Sequence, residues 1–329
     1  MGHFKAYGFL YGLLLLISLA FFQVRSDAVL LSFNDTFKWV AIALIFAFQG
    51  LSIEQQSLFN TFESRGELLF ALIWNFVFIP ILVLLLLVPF VSEWIGIGFF
   101  LLAIVPTTIA LSVAYTDLSK GRVELALMAT LVSNLLGTVL VPLLFLFFIG
   151  EGIQDSHSAL GQMLKKLFLI LVLPLIIGVF IRRLLPRCTQ YLLKVKKIAV
   201  ECLLLGILYN SFLKCFSSDL ASENSVYWID IALVGMLSLL LWASVSAMVW
   251  WSSACCKFDP SSRIALFFVS SQKSMCSGLP LILLSLALFP NNYNEGHLLL
   301  PLIFYYLFQT VFGSFFIHRF TRTRSPEIN

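Results

Sequence analysis

Apolar runs of about twenty residues recur along the chain, separated by short connections that hold nearly all of its charge. A run of that length matches the ~30 Å hydrocarbon layer of a bilayer at about 1.5 Å per helical residue, and a segment inside that layer must satisfy its own backbone hydrogen bonds. Ten such segments can be read, at roughly 8–24, 37–53, 68–90, 95–116, 123–149, 164–185, 198–214, 227–251, 264–289 and 298–318. Composition agrees: 60% of the 329 residues are apolar and 12% are charged, roughly half the charge of a soluble domain. These figures exclude a soluble enzyme, a disordered chain and a nucleic-acid binder. They predict an all-α polytopic membrane protein of ten transmembrane helices. The lipid bilayer is its expected partner, with no nucleic acid and no obligate protein partner expected. The first segment follows Lys5 as a signal peptide would, but Ala20 leads into Phe21, Phe22 and Gln23 rather than a small-residue cleavage site, so it reads as a retained helix.

Orientation follows from Lys and Arg. With ten spans, fifteen of the basic residues collect on the side of the termini, among them Lys5, Arg65, Lys120, Arg122, Lys257, Arg263, Arg319 and the cluster from Arg182 to Lys197. Five fall on the other side: Arg25, Lys38, Lys165, Lys166 and Lys214. The expected location is the cell (inner or plasma) membrane, with both termini cytoplasmic.

Five segments precede the linker 150–163 and five follow it, so residues 1–149 and 164–329 enter the membrane from opposite sides, the condition for an inverted-topology repeat. The fourth segment of each half is the most polar and most prone to a helix break. One carries Pro106-Thr107-Thr108-Ile109-Ala110-Leu111-Ser112, the other Ser270-Ser271-Gln272-Lys273-Ser274 followed by Gly278 and Pro280. Paired interrupted helices are the best sequence pointer to a transporter's binding site. The fourth and ninth helices are therefore expected to be discontinuous, and the two breaks to touch.

Lys273 is the one charged residue between Arg263 and Glu295 and lies about ten residues into an apolar run. Burying a basic side chain at that depth costs roughly 2.5–3.5 kcal/mol or more unless it faces protein or water. No carboxylate stands at mid-depth in any segment, so its neighbours are expected to be hydroxyls, amides, freed backbone carbonyls or a bound anion. In the fifth segment Thr130, Ser133, Asn134, Gly137 and Thr138 recur at spacings of three and four, forming a polar stripe on one helical face. Asn75, five residues before Pro80, and Gln309 with Thr310 add neutral oxygens of the kind a polar solute or a sodium ion takes. The histidines lie near segment ends, the cysteines show no metal-ligand spacing, and no nucleophile or phosphate-loop motif is present.

At these residues the chain resembles the bile acid:sodium symporter family. Ser112-Val113-Ala114-Tyr115-Thr116-Asp117-Leu118-Ser119-Lys120-Gly121, continuing through Thr130 to Pro142, is similar to that family's fourth-to-fifth helix passage. Ser270-Ser271-Gln272-Lys273-Ser274 with Gly278 and Pro280 resembles a Lys-bearing branch of it. The resemblance implies a core of helices 3–5 and 8–10 with crossing, broken fourth and ninth helices, and a panel of helices 1, 2, 6 and 7. It implies a possible sodium site at Asn75, Ser112, Thr130 and Gln272, with Asn75 in place of a Gln ligand, and no other cofactor. The family's Asn after Ser112 is Val113 here, and its ninth-helix Glu, which bridges two sodium ions, has no counterpart between Phe267 and Ser274.

The expected function is secondary active transport, by alternating access, of a small organic, anionic solute. The alternative is a non-transporting membrane regulator of calcium homeostasis, a role associated with members of the Lys-bearing branch. Candidate substrate- or ion-binding residues are Asn75, Thr108, Ser112, Thr130, Ser133, Asn134, Ser270, Ser271, Gln272, Lys273 and Ser274; no catalytic residue is expected.

Overall fold

The computed structural model describes residues 11–12, 15–20, 22–23, 35–52, 65–149, 165, 168–221, 227–287 and 295–322. The expected linker 150–163 and much of the first segment lie outside the described residues. All regular structure among the described residues is helical. Four helical stretches are long and apolar enough to cross a membrane, Arg65–Phe90, Val123–Val141, Ile229–Cys255 and Glu295–Thr321, and a bent pair makes a fifth if counted as one span.

The helices gather into two compact units. The first contains α1 (Asp35–Leu51), α7 (Leu173–Leu184) and α8 (Pro186–Ala221). Here α1 and α7 approach backbone to backbone at two glycines. A Cβ on Gly50 would lie 2.0 Å from the Leu175 carbonyl oxygen, and one on Gly178 would lie 2.1 Å from that of Ala47. Small residues let helices pack this closely where the bilayer itself offers no hydrophobic drive for association. The close crossing is fastened by Arg182, whose guanidinium donates to the Leu51 carbonyl at 3.0 Å. In the same unit Lys38, buried near the start of α1, pairs with Glu295 at 2.5 Å.

The second unit holds α2 (Arg65–Ile73), a π-turn (Trp74–Phe78), α3 (Ile79–Leu86), α4 (Glu93–Ile104), α5 (Ile109–Leu118) and nearly all of α6 (Val123–Ile149). It also holds nearly all of α9 (Tyr227–Cys255), α10 (Pro260–Ser271), the first part of α11 (Met275–Ala287) and most of α12 (Glu295–Arg322). Its interior is aliphatic around Ala71, Leu125, Ala129 and Val269. A second cluster is aromatic, with Tyr115, Phe267, Phe268 and Phe320 in contact.

Both polar segments are broken. The axes of α4 and α5 meet at 60° across residues 105–108. Pro106 explains the position, because a proline pushes the residue before it out of the helical region, and Val105 is extended (φ −62°, ψ 136°). In the second segment the helix stops at Ser271 and restarts at Met275, with Gln272 extended (φ −109°, ψ 134°). Ser274 caps the restart, its Oγ accepting from the Ser277 amide at 3.2 Å.

Candidate functional site

The two breaks meet. The Ser274 amide donates to the Pro106 carbonyl at 2.8 Å, and a Cβ on Gly278 would lie 2.5 Å from Val105 Cγ1, so the missing side chain leaves room for the first break to lie against α11. A break in lipid is tolerated only if every freed amide and carbonyl finds a partner.

Side chains supply several of those partners. Gln309 on α12 accepts from the Lys273 amide through Oε1 at 2.7 Å and donates from Nε2 to the Lys273 carbonyl at 2.8 Å. Tyr305, one turn earlier, donates to the Ser271 carbonyl at 2.9 Å. Asn134 on α6 donates its two amide hydrogens to the carbonyls of Thr107 (2.7 Å) and Thr130 (2.8 Å). Its Oδ1 accepts from Ser277 Oγ at 2.7 Å. Ser133 Oγ lies 3.4 Å from the Thr107 amide that donates to it. The polar stripe of α6 thus holds the first break, and α12 holds the second.

Lys273 occupies the junction, 1% exposed. Its Nζ donates to three backbone carbonyls: Ala103 at 2.7 Å, Val105 at 2.9 Å and Asn75 at 3.4 Å. An ammonium has three hydrogens, so its donors are matched one for one. Each carbonyl is free for a local reason. Ala103 is among the last residues of α4, whose final carbonyls have no partner in their own helix, and Val105 lies in the break. Asn75 sits in the π-turn, where the Ile79 amide bonds back to Trp74, and the residue after it is Pro80, which has no amide hydrogen to give.

Beside the cage, Ser112 Oγ lies 2.9 Å from Gln272 Oε1, 3.2 Å from the Phe268 carbonyl and 3.3 Å from Thr107 Oγ1. Asn75 donates through Nδ2 to Ala71 (3.1 Å) and Val269 (3.4 Å), while its Oδ1 is buried with no hydrogen-bond partner. Gln272 Nε2 and Ser270 Oγ are likewise buried and unpaired. These three atoms, two able to accept and one donor, are the site's unused hydrogen-bonding capacity.

The structure therefore brings Asn75, Ser112, Ser133, Asn134, Gln272, Lys273 and Ser274 into one network. Other candidates are buried nearby but turn to their own helices: Thr130 Oγ1 donates to Leu127 (2.9 Å) and Ser271 Oγ to Phe267 (2.6 Å). Thr108 takes the N-cap position of α5 without a side-chain capping bond. Tyr305 and Ser277 are members that the sequence reading did not single out. Their signal was present, since Tyr305 stands four residues before Gln309 on one face of α12, and Ser277 stands three after Ser274. Among the described residues no group of three or more His, Cys, Asp or Glu is placed to hold a metal.

Comparison with known proteins places the chain in a family. The SBF-like CPA transporter family matches residues 7–322. Sodium/bile acid cotransporter 7 of Xenopus tropicalis is 27% identical over 288 residues, covering 85% of this chain and 80% of that protein. The protein of the same name from Rattus norvegicus is 25% identical over 283 residues, covering 85% and 81%. That of Danio rerio is 25% identical over 285 residues, covering 85% and 82%. With a match over nearly its whole length, the chain belongs to the SBF-like CPA transporter family and is a multi-pass membrane transporter of the bile acid:sodium symporter type.

Proposed function

We infer that the protein moves a small organic anion by alternating access and that Lys273 supplies the positive charge for which related transporters use a coupling ion. The observation that carries this is the cage: three carbonyl oxygens within 3.4 Å of one ammonium make a cation site whose cation is tethered to the chain. Sodium at the expected set of Asn75, Ser112, Thr130 and Gln272 would be bound beside that charge. The Asn75 carbonyl already accepts from Lys273, and two unit charges ~5 Å apart repel by about 3 kcal/mol at an effective dielectric of ~20. Transport independent of sodium follows, and a fixed positive centre among unpaired neutral groups favours an anionic solute.

The same reading extends to architecture. Ten spans arranged as two inverted five-helix repeats, 1–149 and 164–329, are supported by the two breaks occupying equivalent places and touching. A division into a core of segments 3–5 and 8–10 and a panel of segments 1, 2, 6 and 7 is supported by the way most of the chain partitions into its two compact units. Cytoplasmic termini are supported by the neighbouring basic connections. Arg122 lies 3.6 Å from Glu67 and its amide donates to Ser261 at 3.1 Å, so three connections from the basic side adjoin one another.

The deciding experiment is uptake into proteoliposomes from a panel of organic anions, with sodium replaced by choline in a matched set. The expected result is uptake of at least one anion with little sodium dependence, reduced in Lys273→Gln protein that still elutes as a single folded species. Steep sodium dependence in the wild type, or full uptake by Lys273→Gln, overturns the reading. No uptake across the panel would favour the regulator.

A further inference from the structure

A second feature of the larger unit plays no part in the cage. A cavity of about 720 Å³ lies among α9, α10 and α12, lined by Trp242, Ser246, Trp250, Arg263, Phe316 and Arg319 together with smaller and apolar neighbours. Among the described residues that line it there is no carboxylate. Its volume falls in the usual range of small-ligand sites, ~300–1,000 Å³.

Three polar atoms in this wall are buried without a hydrogen-bond partner: Trp242 Nε1, Ser246 Oγ and Arg263 Nε. Trp242 and Ser246 are 5% and 4% exposed. An unpaired buried donor costs about 1–3 kcal/mol, and three in one cavity, all able to donate, point to a ligand rich in acceptor oxygens. The Arg263 guanidinium is already oriented, 4.2 Å over the Trp250 ring with one amino group donating to the Trp250 carbonyl at 3.3 Å. A stacked, forked cation of this kind suits phosphate. Trp242 packs on Phe312, with ring centroids 5.3 Å apart, so the far end of the cavity is aromatic. On α9, Ser246 and Trp242 lie one and two turns beyond Trp250, about 6 and 12 Å along the axis. A phosphate followed by glycerol and ester oxygens, and then by hydrocarbon, matches that order of groups.

We propose that this cavity is a binding site for an anionic glycerophospholipid, its phosphate held by Arg263 and its ester oxygens by Ser246 and Trp242. The walls belong to helices of which two are long and apolar enough to span the bilayer, so a lipid reaches the cavity from within the membrane. A soluble phosphate has no use for the aromatic end. Occupancy would brace α9 against α12 and make the protein's stability depend on the surrounding lipid.

The test is thermal unfolding of the full-length protein in a neutral detergent, titrated separately with phosphatidylglycerol, phosphatidylcholine and glycerol 3-phosphate. Phosphatidylglycerol is expected to raise the midpoint saturably, while the other two leave it unchanged. Arg263→Gln and Ser246→Ala should each weaken the phosphatidylglycerol response by about tenfold in concentration, the shift expected from losing one charge-assisted or buried hydrogen bond. Lys257→Gln, a basic residue outside the cavity, should leave the response unchanged. If Arg263→Gln fails to fold, Trp242→Phe, which removes only the indole N–H donor, takes its place and should weaken the response alike. An equal response to phosphatidylcholine, a response to glycerol 3-phosphate, or a phosphatidylglycerol response untouched by these substitutions overturns the proposal. None of these readouts involves transport, so the outcome is independent of the function proposed above.

Discussion

Gln309 pairs with Lys273 as one β-strand residue pairs with another, its amide oxygen taking the Lys273 N–H at 2.7 Å and its amide nitrogen reaching the Lys273 carbonyl at 2.8 Å. A side chain thus replaces the helical partners that the break removes. Gln309→Leu, of similar size, should leave both backbone groups buried and unpaired, at about 1–3 kcal/mol each. Denaturant unfolding in detergent should show a loss of roughly 2–5 kcal/mol, whereas Gln309→Glu, which keeps an acceptor, should lose less.

If the Lys273 ammonium fills a cation cage, emptying the cage should create a response to cations. Thermal midpoints measured in sodium chloride and choline chloride should coincide for the wild type. Lys273→Ala should be less stable, but sodium should restore part of the loss, because an ion that binds only the folded state stabilises it by mass action. Equal midpoints of Lys273→Ala in both salts would count against the cage as a cation site.

Gly278 is where the second broken segment makes room for the first. Gly278→Ala should cost about 1–3 kcal/mol, as overpacking does, because its Cβ would lie 2.5 Å from Val105 Cγ1 and 2.9 Å from Cγ2. Val105→Ala removes both of those atoms. The double substitution should therefore be more stable than the sum of the two single effects, with a coupling of 0.5 kcal/mol or more on the ~0.5–3 kcal/mol scale of contacting residues.

Asp259 caps α10, accepting from the amides of Ser261 at 3.0 Å and Ser262 at 3.1 Å. Burial alone would raise its pKa, but hydrogen bonds from Ser261 and Ser262 outweigh burial and hold the carboxyl at about 2, below its ordinary 3.8. Because the folded-state value is depressed, the stabilisation is complete above the unfolded value and fades as the pH falls from about 4 through 2. Asp259→Ala should cost about 1 kcal/mol near neutrality and should flatten the acid limb of stability measured against pH.

Much of this was legible from residue types. Proline, serine and a lysine inside apolar runs are costly unless used, so Pro106 and the stretch from Ser270 to Ser274 marked the breaks, and spacings of three and four in α6 marked the face that holds one of them. Asn75 was half legible. Pro80 five residues on removes the hydrogen that a π-turn would offer, but nothing local says which cation takes the freed carbonyl.

The partners themselves came only from tertiary structure. Lys273 bonds to carbonyls of residues that lie 168, 170 and 198 positions away, and a carbonyl is the same group whatever side chain it carries, so no pattern of residue types could identify Ala103 or Val105. The cavity bounded by Arg263 and Trp242 is hidden for a related reason. Its unpaired donors become visible only once α9, α10 and α12 close around them, because whether a polar atom is satisfied depends on the neighbours that packing brings and not on the residue that bears it.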